Sequence, residues 1–514
     1  MTLPTREINQ RCSRHCHQRL AGAFLILALP FFFTLCATAQ NCGQTPATAS
    51  SITAHNAMAS PTPVGENSPP PGMDQIELVV ALFRHGVRSP LQDMDSQHSG
   101  KAWPNQEDWG VDWGDLTEQG TRAATALGAY YGTYYLSAWP RSFKAHLWAD
   151  VDQRTVASAE ALAEGLKTKN IPVQVTPAVP SKTPDPLFHP FKAECGTPDS
   201  KKLQGVAGYI NDHRLGWLKD PAISREFNNL YAVLSCNPAA QPSDDAEKCK
   251  SLKAADDSAT YWQGKPPRQS SPIQWKEKFS FASTATEAFL LEYADNMPPE
   301  KVGWGSVLVG KTGAGHYEFS DLLSLHEFYF QQIDREPYLA QIGGSNLLRE
   351  ILDQINKKAG YKSPADGQCP RPTDDSQFVG FVGHDTNLAN MNVLLGVGWD
   401  FADPKLPPSL RQLPANDALP AGALVFELRK GPQGPGSDRV RIEYVTQSLD
   451  EMKNAPEKGQ PSPFRVRTTC RDDANRPLSP CVMTLKSFNN LVEKAIGPHD
   501  PFLSRCEQGK QTCP

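Results

Sequence analysis

The chain has 514 residues, 39% of them hydrophobic, enough to bury a large core and to hold more than one domain or subdomain. Its formal net charge of -5 argues against nucleic acid or an anionic membrane as a partner, since both reward a basic surface. A small anionic ligand stays open, because a local arginine cluster can outweigh a diffuse negative surface.

Residues 1–39 read as a secretory signal. Arg11, Arg14 and Arg19 make a basic start, Leu20 to Leu35 is apolar, and Ala37-Thr38-Ala39 offers a small-x-small cleavage site. With Pro30 inside it, the apolar run falls short of the ~20 residues a spanning helix needs, so no stable membrane association is expected after cleavage. Residues 40–72, rich in Ala, Ser, Thr and Pro, read as a disordered linker.

A first strand is predicted at 75–83, where Ile76-Glu77-Leu78-Val79-Val80-Ala81 is short, β-branched and apolar. It runs into Arg84-His85-Gly86-Val87-Arg88-Ser89-Pro90. Two guanidiniums and an imidazole at a strand's end suit a phosphoryl group: the planar forks match phosphate oxygens, and a neutral imidazole is a nucleophile. Gly86 is expected to let the backbone approach the anion. Trp103, Trp109 and Trp113 in the next loop read as packing residues. Thr117 is a candidate cap for a helix through Ala123, Leu127 and Tyr131.

A second strand is predicted at Ala145–Ala149, followed by Asp150-Val151-Asp152-Gln153-Arg154-Thr155 and a helix to about Lys167. Arg154 thus stands at a strand end and a helix start, where anions are favoured. From 181 to 340 the pattern turns helical, around 223–234, 284–295 and 320–332, and reads as an inserted cap. Strand character returns at Phe378–Val382, followed by Gly383-His384-Asp385-Thr386-Asn387 and a helix through Leu388, Met391 and Leu394. A proline-rich loop spans 404–421. Strands at 424–428 and 440–445 read as a hairpin, and a last helix lies near 484–496.

The expected fold is α/β, a mixed, mostly parallel sheet flanked by helices with a smaller helical cap. The first α/β part would span 73–180, the cap 181–340 and the second part 341–514. Ligands of open α/β sheets bind beyond the carboxyl ends of strands. Three strand ends would then bring Arg84, His85 and Arg88, then Arg154, then His384 and Asp385 to one edge. His499-Asp500, between two prolines, reads as incidental. His189, His316 and His326 read as structural or surface residues. A metal-dependent His-Asp phosphohydrolase would need further ligands at helical spacing, and neither Cys-x-x-Cys nor His-Glu-x-x-His occurs.

Of twelve cysteines, three fall in the signal and nine remain, an odd number. Cys236 with Cys249, and Cys470 with Cys481, are close local pairs with turn-forming residues between, and export makes disulfides the default.

The Arg-His-Gly-x-Arg-x-Pro stretch, Asp152-Gln153-Arg154-Thr155, Asp185-Pro186-Leu187-Phe188-His189-Pro190 and Gly383-His384-Asp385-Thr386-Asn387-Leu388-Ala389-Asn390 together resemble the histidine acid phosphatases. The resemblance is to the bacterial branch of periplasmic phytases and glucose-1-phosphatases, and it runs from about residue 74 to the end. It implies a phosphoglycerate mutase-like sheet with a helical domain, no cofactor and no metal, and a periplasmic or secreted location. It also implies that Cys195 pairs with Cys506 or Cys513. By the same likeness His85 attacks phosphorus to form a phosphohistidine and Asp385 protonates the leaving oxygen. Arg84, Arg88, Arg154 and His384 hold the phosphoryl oxygens. Asp385 must carry a proton, so acid solution or a raised pKa is expected.

For the substrate, Leu91 and Gln92 stand where phytases of this branch commonly have Thr-Lys, removing a cation expected to meet a second phosphate. Thr386 and Thr284-Ala285-Thr286-Glu287 look phytase-like, with Glu287 a candidate substrate contact. Gln153-Arg154-Thr155-Val156-Ala157 and Arg441-Ile442-Glu443-Tyr444-Val445 lean towards glucose-1-phosphatases. The expectation is an acid phosphomonoesterase, with phytase and sugar-phosphatase activities as the narrower alternatives. A phosphomutase is disfavoured by the signal, and a non-catalytic phosphate-binding protein by the presence of both His85 and Asp385.

Overall fold

The computed structural model describes residue 72 and residues 75–497, apart from 95–100, 140–141, 178, 194–197, 237–248, 250–251, 253–257, 263–270, 276–277, 311–312, 314, 362–374, 434–435 and 456–462. The signal at 1–39, the linker up to residue 71, the pairing expected for Cys195 and the His499-Asp500 pair lie outside the described residues.

The strands run in chain order: β1 (Ile76–Arg84), β2 (Ala145–Ala149), β3 (Val173–Thr176), β4 (Ala259–Tyr261), β5 (Ile273–Trp275), β6 (Phe378–Gly383), β7 (Gly398–Trp399), β8 (Ala423–Arg429), β9 (Arg439–Thr446), β10 (Phe464–Val466), β11 (Thr468–Arg471), β12 (Pro477–Leu478) and β13 (Val482–Thr484). The main sheet has the order β10-β9-β8-β1-β6-β2-β3, with β13 also paired to β9. Pairing is parallel from β1 through β6 and β2 to β3. It is antiparallel among β1, β8, β9, β10 and β13. The sheet is therefore mixed, as expected, with a larger antiparallel share than "mostly parallel" implies, because β10 and β13 extend the β8–β9 hairpin.

β1 explains why the centre is apolar along its whole length. Leu78, Val80 and Leu82 enter the core shared with Leu348, Leu388 and Phe488, whereas Val79, Ala81 and Phe83 enter the core of Ala124, Leu127, Tyr131 and Leu162. Successive side chains of a strand point to opposite faces, and both faces here are covered by helices. One layer holds helices Glu118–Leu136 and Gln153–Lys167; the other holds Pro337–Lys358, Asp385–Leu395 and Leu485–Ile496.

The first two helices meet through glycines. A Cβ on Gly128 would lie 2.1 Å from the Leu162 carbonyl oxygen, and one on Gly165 would lie 2.0 Å from that of Thr125. Gly128→Ala is therefore expected to cost about 1–3 kcal/mol through overpacking. The change should appear as a lower urea midpoint at unchanged slope; an unmoved midpoint would contradict the close approach.

The inserted region holds helices Ser200–Trp217, Pro221–Val233, Lys278–Ala294 and Ser324–Gln332 and the β4–β5 ribbon. Trp275 stacks on Phe279 at 4.5 Å, and Phe227 meets Phe279 edge-on at 5.2 Å. Helix Lys278–Ala294 is buried on nearly every side and carries Glu287 at its middle. Trp103 and Trp109 are buried, and Trp103 stacks on Phe289 at 5.3 Å, as packing residues. Helix Pro337–Lys358 crosses the boundary expected at 340 and packs on Asn390 and Met391 of the sheet-covering layer. The disulfides Cys236–Cys249 and Cys470–Cys481 are both present. Among the described residues no helix is long and apolar enough to cross a membrane.

Candidate active site

Three adjacent parallel strands end side by side. The backbone N–H of Asp150, just past β2, donates to Val382 of β6, and that of His85 donates to Gly383, both at 2.9 Å. The Arg84/His85, Asp150/Arg154 and His384/Asp385 segments are thereby held at one sheet edge by main-chain bonds. Two side chains tighten the turns. Thr155 Oγ1 donates to the Asp150 and Asp152 carbonyls at 2.7 Å each. Ser158 Oγ donates to Arg154 O at 2.6 Å and accepts from Gly86 N at 2.9 Å, linking the β1 turn to the helix behind Arg154. Gly86 is needed here for packing: a Cβ would lie 2.9 Å from Leu116 Cδ1 and 3.2 Å from Gly120 O. Its close approach is to the neighbouring helix.

Arg84, His85, Arg88 and His384 are buried. Arg84 Nη1 donates to Ala418 O at 2.7 Å, while Nη2 pairs with Glu287 Oε1 and lies 3.0 Å from Asp385 Oδ2. Arg88 Nη2 donates to Glu287 Oε2 at 3.0 Å. Glu287 thus spans both motif arginines from the inserted helix, as a bidentate anion does. Arg154 Nη2 donates to Asp152 Oδ2 at 2.7 Å and sits 3.4 Å from His384 Nδ1. Leu91 is 58% exposed and sits at the rim, where it and Arg154 flank Gly114. Gln92 is exposed beside it.

His85 Nδ1 lies 2.8 Å from the Gly86 carbonyl. With the proton on Nδ1 donated there, Nε2 keeps its lone pair. Burial, then Arg154, Arg84 and Arg88, hold the His85 pKa well below 6.5, so the ring is neutral in mild acid. Burial alone would raise Asp385, but Arg84 and then Arg88 outweigh it and hold its carboxyl down at about 2. Of the two expected routes to a protonated Asp385, acid solution or a raised pKa, the second is not found: Asp385 is an ionised partner of Arg84. Burial would likewise raise Glu287, and Arg88 and Arg84 bring it below its usual value. The cations of the site are thus balanced by protein carboxylates.

His384 Nε2 lies 2.7 Å from Asp150 Oδ2. Burial holds His384 down at about 4, with Asp150 opposing. Asp150 is fully buried and stays ionised far below its usual value, because the imidazoles of His189 and His384 beside it outweigh its burial. His189, read from the sequence as structural or surface, instead packs on His384 with ring centroids 4.7 Å apart. Asp150 could have been found by the strand-end rule that picked out Arg154; His189 lies in the Asp185–Pro190 segment of the family resemblance, but nothing local showed that its ring meets His384. His326 sits behind the site with Nδ1 2.9 Å from Ser283 Oγ.

The family model described as histidine phosphatase superfamily (branch 2) matches residues 75–445, a span containing all three strand-end segments. The chain is 28% identical over 439 residues to phytase AppA of Escherichia coli (strain K12), covering 82% of this chain and 93% of that protein. It is 25% identical over 400 residues to a glucose-1-phosphatase of Providencia rettgeri, covering 74% and 82%. Its fold matches the Hafnia alvei phytase solved with tartrate, at a TM-score of 0.64 and 25% identity over 84% of this chain and 98% of that one. A match along most of the chain, with the buried imidazole and its arginines inside it, makes this protein a phosphatase of the histidine phosphatase superfamily, branch 2.

Proposed function

We propose that the protein is an acid phosphomonoesterase working through a phosphohistidine on His85. The observation that carries this reading is the convergence of Arg84, Arg88, Arg154 and His384 from three strand ends around one imidazole kept neutral by burial and positive charge. Phosphoryl transfer needs mainly positioning and charge stabilisation. The three guanidiniums and His384 hold the non-bridging oxygens, and His85 Nε2 attacks in line as the ester oxygen departs towards Asp385. Water then releases orthophosphate, with Asp385 as base.

The ionised Asp385 of the free site changes how acid acts. A phosphomonoester below its second ionisation, about pH 6, is a monoanion that carries its own proton. Binding it draws Arg84 towards phosphate and leaves Asp385 beside new negative charge, both of which raise its pKa. The substrate proton passes to Asp385 and from there to the leaving oxygen. Turnover is therefore expected to peak in acid and to fall as pH rises through the substrate's second ionisation. It should be unchanged by a strong chelator, because this chain's own cations stabilise the transferring group. A pH–rate profile with and without chelator checks both; a peak above neutrality or loss of rate in chelator would contradict the reading.

The substrate is a small phosphorylated molecule. The names of the relatives support inositol polyphosphates or sugar phosphates, and the Hafnia alvei phytase was also solved with myo-inositol hexakis sulphate. Leu91 and Gln92 supply no cation at the exposed rim, favouring broad monoester specificity over a phytate-only enzyme. Comparing phytate, glucose 1-phosphate and an aryl phosphate in acid decides the order. Export to the periplasm or medium is supported by the signal-like start and by two disulfides.

A further inference from the structure

Behind the His384 ring, segments distant in sequence bring four ligand atoms together. One atom each from Asp150, Asp152, His189 and His384 all lie within 4.8 Å of one another. His384 Nε2 is 2.7 Å from Asp150 Oδ2 and 3.6 Å from Asp152 Oδ2, and His189 Nε2 is 3.1 Å from Asp150 Oδ2. Four donors bonded at about 2.0–2.1 Å around a tetrahedral ion stand roughly 3.3 Å apart. The observed separations bracket that value.

Two features set the cluster apart from an ordinary His–Asp pair. Asp150 is wholly buried, yet its Oδ1 has no hydrogen-bond partner among the described residues, which is uncommon for a buried carboxylate. The buried His189 Nε2 is near Asp150 but off the alignment of a hydrogen bond. His384 Nε2 and Asp150 Oδ2 are hydrogen-bonded in the free site, a bond that an ion between the four donor atoms would replace.

We propose that Asp150, Asp152, His189 and His384 form a binding site for a borderline divalent transition metal such as Zn2+ or Co2+. Two imidazoles and two carboxylates suit these ions, whereas Mg2+ and Ca2+ take six or more oxygens. The two carboxylates balance the ion's charge. Asp152 is partly exposed and gives a path from solvent. The ion sits on the Nε2 side of His384, while Nδ1 faces Arg154. The attacking nitrogen and the three arginines are not ligands; His384 is shared, giving Nε2 to the ion and keeping Nδ1 on the side of Arg154. No short-range sequence spacing could reveal it, since β2, the 185–190 turn and β6 each contribute.

The test is a Co2+ titration of the chelator-stripped full-length chain, followed by visible absorption. One Co2+ per chain is expected, with the intense bands of four-coordinate cobalt, displaced by Zn2+. His189→Asn should keep the melting temperature and aryl phosphate turnover. It should weaken Co2+ binding at least about tenfold, the lower end of what even outer ligand partners contribute. Absence of a stoichiometric band, a thiolate-to-cobalt charge-transfer band, or equal affinity in His189→Asn would overturn the proposal.

Discussion

Replacing His85 with alanine is expected to lower kcat by on the order of 10^4-fold or more, because the attacking nitrogen is removed and no neighbouring group can take its place. His384, whose ring lies 5.6 Å away, presents Nε2 to Asp150 and Nδ1 to Arg154. Orthophosphate should still bind to His85→Ala as a product, since Arg84, Arg88 and Arg154 remain. A variant that neither binds phosphate nor melts like the parent has lost its fold and says nothing about the nucleophile. A folded, phosphate-binding variant with turnover within tenfold of the parent would remove His85 from the chemistry.

Asp385→Asn should have the second largest effect, and the leaving group should set its size. For an alkyl phosphate the departing oxygen needs a proton, and a positioned general acid contributes typically 10^2–10^4-fold, so kcat should fall by about that much. An aryl phosphate with an acidic phenol needs little help to leave. There the first step should survive and hydrolysis of the phosphoenzyme should become slow, giving a burst of one equivalent of phenol before a slow phase. Losing the Asp385 carboxylate also relieves competition for Arg84, so KM is not expected to rise. Equal losses for both substrates would assign Asp385 to binding or structure.

The parts legible in the sequence were those fixed by local rules. β1, β2 and β6 announced themselves as short apolar runs, and the arginines and histidines at their ends followed from where ligands meet a parallel sheet. Thr117 capped the helix as expected, with its Oγ1 accepting from Gly120 N. The β8–β9 hairpin and both local disulfides were equally visible. What stayed hidden depends on long-range packing. Helices Ser200–Trp217 and Pro337–Lys358 carry Gly205, Gly208 and Gly216, and Gly343 and Gly344, which break a helical pattern on paper. In the fold, Gly343 and Gly344 make room for Asn390: a Cβ on either would lie within 2.8 Å of its side chain.

The electrostatics were hidden for the same reason. Glu287 stood out in the sequence as a candidate substrate contact, but its grip on Arg84 and Arg88 depends on where a helix about 200 residues downstream comes to rest. The low pKa of Asp385 removes one of the two expected routes to a proton, a raised pKa, because Arg84 lies beside it, a contact the sequence does not show. The shared Asp150 between His189 and His384 belongs to the same class of long-range contact.

The central claim is that a phosphoryl group passes through the imidazole of His85. Mixing the enzyme with a phosphorus-labelled monoester, quenching in alkali within a turnover and mapping the labelled peptide tests it most directly. The expected result is label stable to alkali and labile to acid, on the peptide containing His85 and missing from His85→Ala. Active enzyme that shows no labelled protein under conditions where Asp385→Asn gives its burst, or label on any other residue, would contradict it.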